Sequence, residues 1–294
     1  MSLPEDLLAG ARVVDLSVNV PGPVTSSRLR DLGAQVIKIE PPTGDPLALV
    51  APEWYQELRH GKTVLTLDLK EAADRNTLDA LLTTSDLLIT ASRPQALARL
   101  GLDWPTLHER IPWLCHVAII GYPPPEENVP GHDLGYMLSM GLCEPPTMPR
   151  TLLADLGGAE RAVSAALGLL LNRERKAESG LAMVSLFEAA GAFAGPLQHG
   201  LTVEGGYLGG GNPFYNLYQS ADSWVALVAL EPHFVKRLLQ ALRLPEMDGA
   251  TGPELSTLKD LLTSAFRRRT TAAWLRFANT HDLPISAPPK PSPR

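Results

Sequence analysis

The chain has 294 residues, 45 % apolar and 20 % charged, with a net charge of −6 and a pI near 5.7. This balance is that of a folded globular protein and excludes disordered, collagen-like and small disulfide-stapled chains. The acidic charge argues against a nucleic-acid partner held through its phosphates, while an anionic small ligand on a local basic patch stays open.

Residues 12–18 (RVVDLSV) form an apolar, β-prone run. Pro21, Gly22 and Pro23 break it, a helical pattern runs to Leu32 and Gly33, and residues 35–40 (QVIKIE) give a second strand. Near-continuous apolar strands joined by a helical crossover predict a parallel sheet covered on both faces. The alternation continues with a strand at 64–67, a helix at 71–84, a strand at 86–90, a short helix at 105–110 and a strand at 115–120. Sequential α/β order of this kind predicts a doubly wound fold.

Residues 121–150 hold seven prolines and little periodicity and are expected to be loop. Asp155 precedes a helix predicted over 156–173, and another is predicted over 185–194. Residues 205–212 (GGYLGGGN) are expected to be a flexible breaker. Two strand-like runs, 214–218 and 223–230, are joined by Ser220, Ala221 and Asp222 and resemble a hairpin. Helices are predicted over 232–242, about 257–268 and 270–280, so this second part is expected to be a small α+β domain. The prolines from 288 onward are not expected to join a packed element. The organisation expected is a large domain over 1–200, a small domain over 201–284 and a proline-rich tail over 285–294.

Cys115 and Cys143 form no CxxC pair, so no structural zinc or iron–sulfur site is expected, and a reducing cytoplasmic setting is. The N-terminus lacks the basic and apolar regions of a signal peptide. The longest helical apolar stretch, residues 162–171, is too short for the roughly 20 residues a bilayer span requires, so no membrane partner is expected.

Several residues could carry chemistry. His132 and Asp133, behind Gly131 at the end of the proline-rich loop, could be two proton-transfer groups, or a turn in which Asp133 bonds its own backbone. Asp155, followed by Leu156, Gly157 and Gly158, could be a helix N-cap, or a carboxylate beside free amides that a ligand approaches over the glycines. Glu231 could be a first-turn acid favoured by the helix dipole or a group aimed at a ligand. Lys38, Arg59, Lys62, Arg93 and Arg99 fall near predicted strand ends, where open α/β sheets bind ligands, so a phosphate-bearing ligand fits; each could equally be a solvated surface charge. His116, inside an apolar strand, is expected to be a core residue. No P-loop, GxSxG or HExxH motif is present, and the glycine run is not a dinucleotide fingerprint.

The run Arg12-Val13-Val14-Asp15-Leu16, then Pro21-Gly22-Pro23, then residues 31–45 (DLGAQVIKIEPPTGD) resemble the opening of the family III CoA-transferases. Gly61-Lys62, residues 66–70 (TLDLK), Arg93-Pro94, residues 99–102 (RLGL), residues 153–158 (LADLGG) and residues 172–175 (NRER) continue the resemblance in order, which runs from about residue 10 to 280. Three features are similar to the α-methylacyl-CoA racemase branch: Gly131-His132-Asp133, the stretch from Gly211 to Tyr218, and residues 229–234 (ALEPHF).

The resemblance implies a Rossmann-like large domain, a small domain, and an interlocked homodimer. It implies that His132 pairs with Asp155 and Asp133 with Glu231 as acid/base groups, and that Lys62, Arg93 and Arg99 lie near CoA phosphates. Acyl-CoA or CoA is the expected partner, as substrate, with no separate cofactor and no metal. A thioester α-proton would leave toward a base on one face and return from an acid on the other. Amides following Asp155 would then be candidates for an oxyanion hole. In family transferases the residue matching Asp155 is instead the nucleophile, which makes CoA transfer the alternative activity. A CoA-binding homologue without turnover is the third possibility.

Departures from the family pattern are Gln95, Pro123, Met183, Pro41 and a shorter loop between His132 and Asp155. The family's usual C-terminal segment, which returns to the large domain, is also expected to be lacking.

Overall fold

The computed structural model describes residues 6–245 and 252–289, and the chain divides into two units, Met1–Ala194 and Gly195–Arg294. The boundary at 194 falls six residues before the one the sequence suggests.

In the first unit, short strands alternate with helices: β1 (Arg12–Asp15), α1 (Pro21–Asp31), β2 (Gln35–Glu40), α2 (Leu47–Val50), α3 (Pro52–Arg59), β3 (Thr63–Thr66), α4 (Ala72–Leu82), β4 (Leu87–Thr90), α5 (Pro94–Arg99), α6 (Trp104–Arg110), β5 (Cys115–Ile120), α7 (Asp133–Ser139), α8 (Leu153–Lys176), β6 (Leu181–Ser185) and α9 (Leu186–Phe193). The six strands form one parallel sheet in the order β3-β2-β1-β4-β5-β6. That order is the doubly wound one, and it reverses direction between β1 and β4.

Strand residues alternate between two cores. Val13, Val36, Leu87, Ile89, Cys115, Val117 and Ile119 pack with Leu29, Ala162, Val163, Ala166 and Leu186 on the α1, α8 and α9 side. Val14, Ile39 and Leu88 pack with Leu78, Leu82, Leu97, Leu102 and Leu107 on the α4, α5 and α6 side. Both faces are therefore covered, which explains why these strands read as unbroken apolar runs.

The first four predicted strands after the opening run, and the first long helix, lie close to where the sequence puts them; β1 is shorter, because residues 16–18 leave the sheet. Three differences matter. Residues 121–150 are not all loop, since α7 lies within them. β6 was not anticipated; it pairs in parallel with β5, His116 opposite Leu181. Helix α8 begins at Leu153, so Asp155 is its third residue rather than its N-cap. Proline also proves to be a helix initiator: α1, α3, α5 and α6 carry one in their first two positions, where the missing N–H has no intrahelical partner to lose.

In the second unit, α10 (Gly195–Gln198) leads to a π-type turn at Tyr207–Gly211, then to β7 (Tyr215–Gln219), β8 (Trp224–Val228), α11 (Pro232–Leu242), α12 (Gly252–Phe266), α13 (Thr271–His281) and β9 (Ile285–Ser286). The strands form an antiparallel sheet, β7-β8-β9. Its core includes Val225, Leu227, Leu238, Leu258, Leu262, Phe266 and Trp274, and the Tyr218 ring stacks on Phe266 with centroids 4.7 Å apart.

The glycine run is not a flexible breaker. A Cβ at Gly209 would lie 1.8 Å from the Val203 carbonyl oxygen and one at Gly211 2.2 Å from that of Gly205, so the run folds back tightly on itself. Ile285, at the start of the 285–294 segment, is buried and pairs with Leu227; of the proline-rich residues from 288 onward, 290–294 lie outside the described residues. No helix among the described residues is long and apolar enough to cross a membrane.

Candidate active site

The loops that leave β1, β4 and β5 open at one end of the sheet, at the point where strand order reverses, and line a cleft of about 330 Å³ together with the start of α8. Asn19 comes from the first loop, Ser92 and Arg93 from the second, Glu127 and His132 from the third, and Asp155 from α8. Open α/β sheets bind ligands at this position because helix starts and loop amides converge there.

His132 is extended (φ −142°, ψ 164°) and Asp133 is the first residue of α7. The change of backbone state between them leaves His132 exposed in the cleft and buries Asp133 to 4 % exposure. Gly131 is required here: a Cβ on it would lie 2.6 Å from the Tyr136 hydroxyl oxygen, whose ring packs beneath the loop.

Asp133 does not bond its own backbone. Its Oδ1 accepts the Asp155 N–H at 3.0 Å, from 22 residues away. That N–H is one of the donors a helix start leaves without an intrahelical partner, so Asp133 caps α8 from outside the helix. Among the described residues Asp133 Oδ2 is buried with no hydrogen-bond partner. The Asp155 carboxyl is pushed up to about 7, first by burial and second by the Asp133 charge.

Within this unit Asp133 thus acts on Asp155 directly, through its N–H and through charge, while His132 and Asp155 line the same cleft. Among the described residues no hydrogen bond joins the His132 ring to Asp155. Glu231 belongs to the second unit, where it is exposed at the N-cap of α11.

Two further expectations fail. The amide after Asp155 is not free for an oxyanion, because Leu156 N–H donates to the Leu152 carbonyl at 3.0 Å. Gly157 and Gly158 do not open the backbone to a ligand. A Cβ on Gly157 would meet the Phe193 ring at 2.2 Å and one on Gly158 the Leu186 side chain at 2.3 Å, so both serve the packing of α8 on α9.

The basic residues separate by burial. Arg93 is exposed and lines the cleft. Arg99 is exposed at the end of α5 and is not among the lining residues. Lys62 turns inward: its ammonium donates to the Pro23 carbonyl at 2.8 Å and the Ser26 hydroxyl at 2.6 Å, and burial lowers its pKa to about 8. Lys38 is not a surface charge; it is 2 % exposed, 3.0 Å from Asp45 Oδ2, and donates to the Ser17 carbonyl at 2.7 Å.

These buried groups form one network under the cleft wall. Asp15 accepts from the Ser17 amide and hydroxyl and from the Ser26 hydroxyl. Asp45 Oδ1 accepts the Asn19 N–H at 2.9 Å and so holds Asn19 at φ +67°, a left-handed conformation that asparagine tolerates better than most residues. His116 is a core residue, with Nε2 2.9 Å from the Thr90 hydroxyl and its pKa lowered to about 4 by burial.

Sequence reasoning missed Asn19, Ser92, Glu127 and Tyr136. Only Asn19 carried a local signal, an asparagine just ahead of a Pro-Gly-Pro break.

The sequence pattern of CoA-transferase family III matches residues 8–291. The chain is 28 % identical over 274 residues to a cinnamoyl-CoA:phenyllactate CoA-transferase of Clostridium sporogenes, which covers 83 % of this chain and 66 % of that protein. It is 29 % identical over 308 residues to an alpha-methylacyl-CoA racemase of Mus musculus, covering 95 % of this chain and 77 % of the racemase. The crystal structure of a hypothetical protein from Mycobacterium tuberculosis superposes with a TM-score of 0.84 at 25 % identity, covering 97 % of this chain and 84 % of that one. A pattern that extends through nearly the whole sequence, over the parallel sheet and the site at its switch point, places the chain in CoA-transferase family III, whose matched members are named as CoA-transferases and as racemases.

Proposed function

We propose that the protein is an acyl-CoA racemase or epimerase that moves the α-proton of 2-methylacyl-CoA thioesters. The observation that carries this reading is that the His132 imidazole and the Asp155 carboxyl line one cleft while Asp133 is buried against the Asp155 amide. Racemisation needs a proton acceptor on one face of the α-carbon and a donor on the other. His132 takes the proton from one face as the C–H bond breaks and its electron pair moves into the enolate. Asp155, protonated over a useful range because its pKa is about 7, delivers a proton to the opposite face. In the reverse direction the two exchange roles. Asp133 positions Asp155 and raises its proton affinity.

Glu231 stays in this reading as the expected fourth acid, and Arg93, Arg99 and Lys62 as the expected cations near the CoA phosphates. A homodimer, a cytoplasmic setting and CoA as part of the substrate with no separate cofactor complete it.

The test is the thioester in heavy water with no acceptor acid. The wild type is expected to incorporate deuterium at the α-carbon, and His132→Ala and Asp155→Ala each to lose that exchange by at least 100-fold with unchanged circular dichroism. Unchanged exchange in either variant overturns the assignment. A second reading, CoA transfer through an acyl-Asp155 anhydride, is supported by the opening of Asp155 on the same cleft and by the name of the C. sporogenes relative. No deuterium uptake at the α-carbon together with movement of CoA onto an added carboxylic acid, or a covalent adduct at Asp155, selects it. Thioester binding with neither activity selects a non-catalytic homologue.

A further inference from the structure

The acid/base chemistry leaves one cleft carboxylate without a task. Glu127 sits in the proline-rich loop between β5 and α7 and lines the same cleft as His132 and Asp155. Its Oε2 is buried and, among the described residues, has no hydrogen-bond partner. Its other oxygen accepts from Asn128 Nδ2 at 3.4 Å, and Asn128 Oδ1 in turn accepts the Gln95 N–H at 3.1 Å, which ties this loop to the start of α5. The carboxylate is therefore held in place from one side, with its second oxygen unmatched.

A buried acceptor without a donor is unfavourable, and the deficit is removed when a bound molecule brings an N–H or O–H to it. A second carboxylate brought to the same place would add like-charge repulsion to that unmatched oxygen. Among the described residues that line the cleft, Arg93 is the only lysine or arginine.

We propose that Glu127 is a specificity-determining residue that accepts a hydrogen bond from a hydroxyl on the acyl chain and excludes acyl chains ending in a carboxylate. This inference rests on the thioester reading and goes beyond its 2-methylacyl substrate. The substrate class it names is the neutral hydroxyacyl-CoA thioesters, as opposed to dicarboxylic ones. The pantetheine amides are the other possible donors on such a ligand, and the experiment separates them from the acyl hydroxyl.

The test is calorimetric binding to the full-length protein of four ligands: a 2-hydroxyacyl-CoA, a 2-methylacyl-CoA of the same chain length, succinyl-CoA and free CoA. The wild type is expected to bind the hydroxyacyl thioester at least tenfold more tightly than succinyl-CoA. Glu127→Gln, which keeps the shape and removes the charge, is expected to tighten succinyl-CoA at least tenfold while shifting the methylacyl thioester and free CoA less than twofold. Glu127→Ala, carried alongside with a thermal melt to show that it folds, is expected to lose the preference for the hydroxyl. Succinyl-CoA binding unchanged in both variants overturns the proposal. Equal weakening of all four ligands also overturns it, since the donor is then in the CoA arm. If the wild type binds none of the four, the thioester reading itself fails and this inference falls with it.

Discussion

Asp155 sits where burial and function act on the same proton. Its carboxyl titrates near 7 in the folded chain against an ordinary value of 3.8, because burial and the Asp133 charge both disfavour the ionised form. The folded state therefore holds this proton more tightly than the unfolded state does. The stability it contributes is fully present below about pH 4 and is lost as pH rises through 7. Asp155→Asn, neutral at every pH, is expected to match the wild type near pH 4 and to exceed it by about 2 kcal/mol at pH 8, read from urea midpoints at the two pH values. A difference that does not widen with pH would show that the carboxyl is well solvated. The candidate residues His132, Asp133 and Asp155 were legible as chemistry-bearing types, but their pairing was not. Asp133 meets the Asp155 amide across 22 residues, and no local pattern encodes that contact.

At the scale of elements, the turn from β1 into α1 depends on Gly22. A Cβ there would lie 1.8 Å from the Ser17 hydroxyl oxygen and 2.2 Å from Ser17 Cβ, and Ser17 is held by the buried Asp15 carboxylate. Gly22→Ala is expected to cost about 1–3 kcal/mol in a thermal or denaturant melt. A neutral result would mean that Ser17 leaves Asp15 without penalty. Most strands of the first unit were readable because burial on both faces demands unbroken apolar runs. β6 was not: its apolar run (LAMV) is short and lies between two helices, where periodicity does not separate a strand from a helical segment, and it sits at the sheet edge with Met183 41 % exposed. α7 was hidden by its length of seven residues and an internal Gly135; its start is fixed by Asp133, whose partner is distant in sequence. Neither α3 nor α5 has an expected counterpart; each is short and begins with a proline, which there only removes an N–H that the helix does not use.

Across the molecule, each unit carries its own hydrophobic core. Trp274 anchors the second: it is fully buried, its ring lies 4.4 Å from that of Phe266, and its Nε1–H donates to the Phe266 carbonyl at 2.8 Å. Trp274→Ala is expected to cost about 3–5 kcal/mol and to release hydrogen-exchange protection in β7 and β8 before β4 and β5. Simultaneous loss in both sheets would show that the chain unfolds as one unit.

The amino-acid sequence by itself determined the alternation of strands and helices, the parallel sheet and the residue types available at its carboxyl end, because those follow from periodicity, turn chemistry and burial of nearby residues. Tertiary structure alone decided that Asp133 caps the helix bearing Asp155, that Lys38 and Lys62 turn inward while Arg93 faces the cleft, and that Glu127 enters it. Which charge is buried, and against what, depends on segments far apart in the chain, and it is burial that sets proton affinity and the hydrogen bonds still open to a ligand.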